Sequence, residues 1–442
     1  MNVITDKIST IFIHYSIPSI LGMLAISSAN IVDGFFIGNY VGDVGLAAIN
    51  ISYPIFSLLF GLALMLAVGS SVSTGKLIGA GDSSLASIIF TKTMICILIL
   101  SFLFCSIILL NIETILHLFG AKNNLIKVAT EYLSIILIFI PFLMIGVVLD
   151  YFVRIDNRPN LAFVALVSSA LINIVLDWLF IVYLEKGITG AALATGISQL
   201  FLMIILLPHF FSKKATLKFV KPLGSYLQIV RSSYNGASEF INEISIGITT
   251  LIFNYVMITN FNIEGVAAFT VINYLLLIGV MISFGISDSL QPLISKNFGA
   301  KKSTRIEEFL KYAFITATVS GITIATLIIF IPETLANLFL EDSNYKTKEI
   351  VLNFAIYIWI AFLFNGVNLV ISAYFTAIHK PLPSMTIALS RSLIFPLLFI
   401  FTLPFFFDKH GIFLAIPMAE LITCLMAVLL FKKFSPKKIV YL

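Results

Sequence analysis

About twelve apolar stretches, each of roughly 20 residues or more, follow one another along this chain with only short polar intervals, and that succession decides what it can become. Their approximate limits are 12–38, 46–74, 85–110, 125–152, 161–183, 189–211, 234–260, 265–295, 306–331, 348–378, 384–404 and 411–431. A segment of that length in a helix crosses the hydrocarbon core of a bilayer, and in lipid only helices or closed barrels satisfy every backbone polar group. Hydrophobic residues make up 59% of the 442 and charged residues 11%, where about a quarter is usual for soluble proteins. The sequence predicts an all-α integral membrane protein. No soluble domain fits between the spans.

The same composition excludes other classes. The formal charge of +5 is mild, and no basic stripe with interleaved polar groups marks a nucleic-acid surface. Cys96, Cys105 and Cys424 stand singly in apolar stretches, so neither a zinc site nor a disulfide framework is expected. The five histidines, His14, His117, His209, His379 and His410, have no partner spacing, and neither HExxH nor GxSxG occurs. An integral-membrane transferase therefore lacks its machinery. The apolar run after Ser16 passes Ala29 without a cleavage site, so the first span is expected to be retained.

Loop charge sets an orientation. With the N-terminus inside, basic residues including Lys76, Arg154, Arg158, Lys213, Lys214, Lys218, Lys221, Lys296 and Lys301 fall on the cytoplasmic side. The excess over the opposite loops is about three to one, which predicts both termini in the cytoplasm of a multi-pass inner (plasma) membrane protein. The longest connection, 212–233, is a basic linker. It divides an N-lobe, 1–211, from a C-lobe, 234–442.

The two parts repeat each other. Gly45, Ala47 and Ala48 reappear as Gly265, Ala267 and Ala268, and Lys76, Gly79 and Ala80 as Lys296, Gly299 and Ala300. Tyr151-Phe152 and Pro159 correspond to Tyr374-Phe375 and Pro381, and Gly190, Ala194 and Gln199 to Gly411, Ala415 and Glu420. A register kept through four regions implies duplication. Each repeat holds six spans, an even number, so both enter the membrane from the same side. The expected architecture is twelve helices in two pseudo-symmetric six-helix lobes around a central cavity, the geometry of alternating access.

Ionisable groups in mid-membrane are costly, so function is sought where they break the repeat. Asp33 lies near the outer end of the first span and Asp177 in the fifth, while the second half carries Phe253 and apolar residues near Leu398. Asn173 precedes Asp177 by one turn on the same face, and Thr195 lies in the sixth span. Two carboxylates, an amide and a hydroxyl make a hard-oxygen set suited to Na⁺. Held close together, the acids would instead share a proton.

These residues carry a resemblance. Asn30-Ile31-Val32-Asp33-Gly34-Phe35-Phe36-Ile37-Gly38, Asn173-Ile174-Val175-Leu176-Asp177, Ala194-Thr195, the run Gln291 to Ala300 and the run Ala415 to Glu420 resemble the multidrug and toxic compound extrusion (MATE) family. The likeness extends over nearly the whole chain. It implies that Asp33, Asn173, Asp177 and Thr195 form a cation-coupling site in the N-lobe, and that Pro18 is a bending proline in the first span. A missing backbone hydrogen bond there would provide a hinge able to move Asp33.

In the second half, Glu239 and Glu243 share a helix face and Asp288 lies in the next span. They are candidates for attracting a cationic substrate or holding a proton. The helix-10 acid used by some relatives is missing, since that span holds only Glu349 near its end. Arg391 and Glu420 replace Ala170 and Gln199 of the first half and are expected to form a structural ion pair. Asp150 and Arg154 form a second, local pair, while Lys76 and Lys296 read as interface anchors. The reading is a monomeric secondary antiporter exporting amphipathic, often cationic organic compounds in exchange for Na⁺ or H⁺, with no cofactor. A lipid-linked oligosaccharide flippase of the same superfamily is the alternative, disfavoured because Arg391 is the clear basic exception among acidic mid-membrane groups.

Overall fold

The structure is a computed structural model that describes residues 2–122, 124–337, 340 and 345–439. Among these the chain is helical, without a strand. The first unit contains α1 (Ile8–Tyr40), α2 (Asp43–Gly79), α3 (Ser83–Leu110), the short α4 (Ile112–Leu118), α5 (Asn124–Ile155), α6 (Pro159–Asp177) and α7 (Gly187–Leu206). The second contains α8 (Leu227–Gly299), α9 (Ser303–Phe330), the short α10 (Pro332–Asn337), α11 (Tyr345–Ala377), α12 (Pro381–Leu389), α13 (Phe395–Thr402) and α14 (Pro404–Lys433), with α15 (Pro436–Ile439) after it.

Eleven of the described helical segments are long and apolar enough to cross a bilayer. One of them, α8, has 73 residues and at 1.5 Å per residue would extend about 110 Å, several times the hydrocarbon thickness. It is two spans joined at Asn262, whose φ of 57° and ψ of −153° break the helix. The chain therefore makes twelve crossings. A similar break at Asp408, φ 48°, separates the first turn of α14 from its membrane-crossing part.

The basic linker is shorter and more ordered than its composition suggests. Helix α8 begins at Leu227, so the segment assigned to the linker as far as 233 includes its first turns. Two basic residues counted as loop charges, Arg154 and Lys296, are 2% exposed. They are interior groups held by polar partners and do not report on loop topology.

The units meet through glycine. A side chain on Gly79 would collide with the carbonyl of Lys296, and one on Gly299 with the carbonyl of Lys76. Gly69 and Gly236 likewise let α2 and the first arm of α8 touch backbone to backbone at Ser232 and Met65. Small residues permit this approach where lipid offers no hydrophobic drive. The contacts run from Ser57 and Gly61, beside Glu243 and Phe240, down to the end that carries both termini. Farther up, Gly34 and Gly247 have nothing within 4 Å of the Cβ position. The units touch at the terminus-bearing end, while toward the other end the packed clusters around Ile181 and around Phe354 each belong to one unit alone.

Candidate functional site

Ile37, Ile181 and Ala191 pack together, and this contact sets the level of the acids. Ile37 follows Asp33 by one turn of α1, and Ile181 follows Asp177 by one turn. Asp177 ends the α-helical part of α6, where a π-helical stretch, Trp178–Tyr183, takes over. Such insertions re-aim side chains and recur at functional sites. Gly190 of α7 packs on that stretch, its Cβ position lying 3.0 Å from the Phe180 backbone.

The carboxyl groups of Asp33 and Asp177 consequently face each other within hydrogen-bonding reach. Asp177 is fully buried. Asp33 Oδ1 and both Asp177 carboxylate oxygens receive no donor among the described residues. Tyr132 of α5 stands near both acids but donates to neither. Buried oxygens without donors are expensive, and two facing carboxylates cannot both stay charged without a cation or proton between them.

The other two residues proposed for this site are less closely joined. Asn173 is buried on the same helix as Asp177, and no hydrogen bond links it to either acid. Thr195 is half-buried, and its recorded bond is through its carbonyl, which accepts from Ser198 Oγ at 2.7 Å. The structure brings Asp33 to Asp177 and leaves the amide and hydroxyl unbonded to them. Pro18 sits inside an otherwise uninterrupted α1.

The acids of the second unit occupy separate surroundings. Glu243 lies across the interface from the hydroxyls of Tyr53 and Ser57, and Ser57 Oγ donates to its carbonyl at 3.3 Å. Glu239 lines a cleft with Asn242, Asp288, Gln291 and Arg391 and has no hydrogen bond among the described residues. Asp288 accepts from Tyr151 at 3.0 Å.

Arg391, in a second π-helical stretch, Ser390–Ile394, donates through Nε to Glu420 Oε1 at 2.8 Å and through Nη1 to Asn242 at 3.2 Å. Asn365 and Asn368 donate to the same carboxylate at 2.9 and 2.7 Å. This is a buried pair with its acceptors satisfied, joining α11, α14, the first arm of α8 and the stretch after α12.

Sequence reasoning named Lys296 as an interface anchor but not the residues that hold it. Asn157, at the end of α5, accepts from Tyr15 at 3.0 Å and from Lys296 Nζ at 2.7 Å. Its φ of 63° is the left-handed conformation that Asn tolerates better than most residues. Asn157, two residues before the helix-starting Pro159, was the available signal.

The MatE sequence profile matches residues 18–179 and 239–402, once in each unit. The chain belongs to the MatE family. Its repeat, seen first in glycines and lysines, is thus a repeat of the family's own unit. Among curated relatives, this MatE chain is 25% identical over 420 residues to the multidrug export protein MepA of Staphylococcus haemolyticus, covering 94% of this chain and 91% of that one. It is 24% identical to MepA of Staphylococcus saprophyticus, with 94% and 92% covered.

Among solved structures it is similar to an outward-facing multidrug resistance MATE transporter of the MOP superfamily, with a TM-score of 0.93, 22% identity and 100% and 98% of the two chains covered. A MOP superfamily transporter from Pyrococcus furiosus, whose reversed binding-pocket polarity is taken to suggest a different function, gives 0.92 at 22% identity, with 99% and 98% covered. These neighbours share the twelve-helix fold.

Proposed function

We propose that this MatE chain is a secondary active antiporter that exports amphipathic, often cationic organic compounds from the cell in exchange for Na⁺ or H⁺. The carrying observation is the Asp33–Asp177 pair, whose three buried oxygens lack donors. An ion or proton bound between them removes a repulsion and satisfies those oxygens at once. The multidrug export activity named for the MepA relatives supports the substrate class.

Coupling requires that the ion favour one arrangement of the units over the other. Asp33 rides on α1 and Asp177 on α6, so cation binding would draw the two helices together near the open part of the cavity. Pro18 would let the upper part of α1 move while its lower part stays packed on the second unit. Asn173 and Thr195 are proposed to complete the site when the helices close on the ion. In the C-lobe, unbonded Glu239 is proposed to meet the cationic group of the substrate, with Glu243 and Asp288 shaping the field around it.

The positive-inside pattern supports a multi-pass plasma-membrane protein whose closed end, with both termini and the linker, faces the cytoplasm. In that orientation the cavity opens outward. One chain supplies both lobes, so a monomer suffices. The test is efflux from proteoliposomes under a Na⁺ gradient alone and a pH gradient alone. One of them should drive accumulation against the substrate gradient, and driven transport under neither would overturn the coupling.

A further inference from the structure

The segment between the two units is a strap rather than a free linker. Residues 212–226 run beside α3 with turns at either end, and in the stretch between them the alternate backbone N–H groups of Thr216, Lys218 and Val220 turn inward. Thr216 N donates to both carboxylate oxygens of Asp156 at 3.1 Å. Lys218 N reaches Ser87 Oγ at 3.3 Å and Val220 N reaches Thr91 Oγ1 at 3.0 Å. Lys92 Nζ then donates to the carbonyl of Ser225 at 2.9 Å. Ala215 and Leu217 are buried beneath. Asp156 is itself held by His209 at 2.7 Å.

What the strap turns outward is of one kind. Lys213, Lys214, Lys218 and Lys221 are exposed, and no acid occurs between Glu185 and Glu239. Large apolar groups are exposed among them: Phe211 at 71%, Leu223 at 66% and Phe219 at 38%. Phe211 and Phe219 stack with their centroids 5.2 Å apart, and Phe219 rests on buried Phe90 at 4.9 Å.

Depth identifies the partner. Helix α3 has 28 residues, about 42 Å at the helical rise, which matches a bilayer of about 40–45 Å including headgroups. Ser87 and Thr91, to which the strap is tied, lie about 6 and 12 Å from the start of that helix. The strap therefore lies where headgroups meet acyl chains. Lysine ammonium groups at that depth meet phosphates, while Phe and Leu enter the apolar boundary.

We propose that residues 211–223 form a docking site for anionic phospholipid of the leaflet at that end. The lysines bind the headgroup, and Phe211, Phe219 and Leu223 lie against its acyl chains. Because hydrogen bonds to α3 and Asp156 hold the strap beforehand, little ordering cost remains at binding.

The full chain, solubilised in a neutral detergent, is titrated with phosphatidylglycerol or phosphatidylcholine of identical acyl chains and followed by native mass spectrometry. Phosphatidylglycerol should bind at least about tenfold more tightly, and the variant K213Q/K214Q/K218Q/K221Q should lose that preference. The tail variant K432Q/K433Q/K437Q/K438Q should keep it. Phe211→Ser with Leu223→Ser should weaken both lipids. No headgroup preference in the native chain, or an equal loss in the tail variant, would overturn the proposal. So would displacement by millimolar inorganic phosphate, or appearance of a dimer instead of lipid adducts. If the strap variant aggregates, the native chain titrated at low and high salt decides: the preference should collapse at high salt, and its persistence would count against lysine–headgroup binding.

Discussion

The hydroxyl of Tyr151 on α5 donates to Asp288 on the second arm of α8 at 3.0 Å, tying one six-helix unit to the other through side chains 137 positions apart. The guanidinium of Arg154, one turn beyond Tyr151, pairs with Asp150 at 2.9 Å and donates to Ser19 on α1 at 2.9 Å. Two turns beyond Asp288, Lys296 reaches Asn157 across the same interface. The Tyr151–Asp288 and Lys296–Asn157 bonds, with the reciprocal contacts of Gly79 and Gly299, hold the closed end. A hydrogen bond is worth about 0.5–1.5 kcal/mol net, so each of these bonds holds the closed end by a modest amount.

Replacing Tyr151 with Phe should therefore shift the balance toward opening of that end without unfolding the chain. Loss of one bond corresponds to about a two- to tenfold change in the ratio of states. With Cys96, Cys105 and Cys424 replaced by Ala, a cysteine at buried Ser295 should react several-fold faster with a water-soluble maleimide applied from the terminus-bearing side. An unchanged rate would show that the bond does not contribute to closure.

Removal of one member of the Arg391–Glu420 pair should be costlier than removal of both. Each side chain is 7% exposed, and stranding a buried charge costs about 3–5 kcal/mol. Arg391→Met or Glu420→Gln alone should lower the thermal midpoint in detergent by several degrees. The double variant, whose neutral pair is closer to the Ala170 and Gln199 of the first half, should recover much of the loss. Additive destabilisation would contradict the pairing.

His379 lies outside the membrane spans, between α11 and α12, where burial first and the charge of Lys76 second push its pKa from 6.5 down to about 4. Its Nε2 has no hydrogen-bond partner among the described residues. The unfolded chain takes up a proton near pH 6.5 while the folded chain does not, so stability present above pH 6.5 falls between 6.5 and about 4. His379→Asn tolerates the positive φ of 59° at this position. It should flatten the thermal midpoint across that window, and an unaltered acid slope would show that other groups cause it.

The features of the fold and the site were unequally visible in the sequence. The twelve crossings could be read because membrane spans are local, and a run of apolar residues needs no knowledge of its neighbours. Arg391 and Glu420 stood out because duplication supplies an internal reference, and both depart from it. Asp33 and Asp177 stood out for the same reason. Asn173 and Thr195 came with them through spacing and family resemblance, but no hydrogen bond joins either to the acids. Asp288 and Lys296 stood out singly, but their partners Tyr151 and Asn157 could not be read, since each pairing depends on how two lobes meet. The strap read as a loose basic linker because its order comes from Ser87, Thr91, Lys92 and Asp156, remote residues that supply hydrogen bonds its own composition does not reveal.

Asp33 and Asp177 are proposed to seat the coupling cation between them. The most direct measurement is gradient-driven substrate accumulation by reconstituted Asp33→Asn and Asp177→Asn proteins, alongside downhill substrate exchange by the same preparations. Each substitution should reduce driven accumulation to background while exchange persists, because the units can still rock but no ion biases them. Undiminished driven accumulation in either variant would show that the coupling ion binds elsewhere.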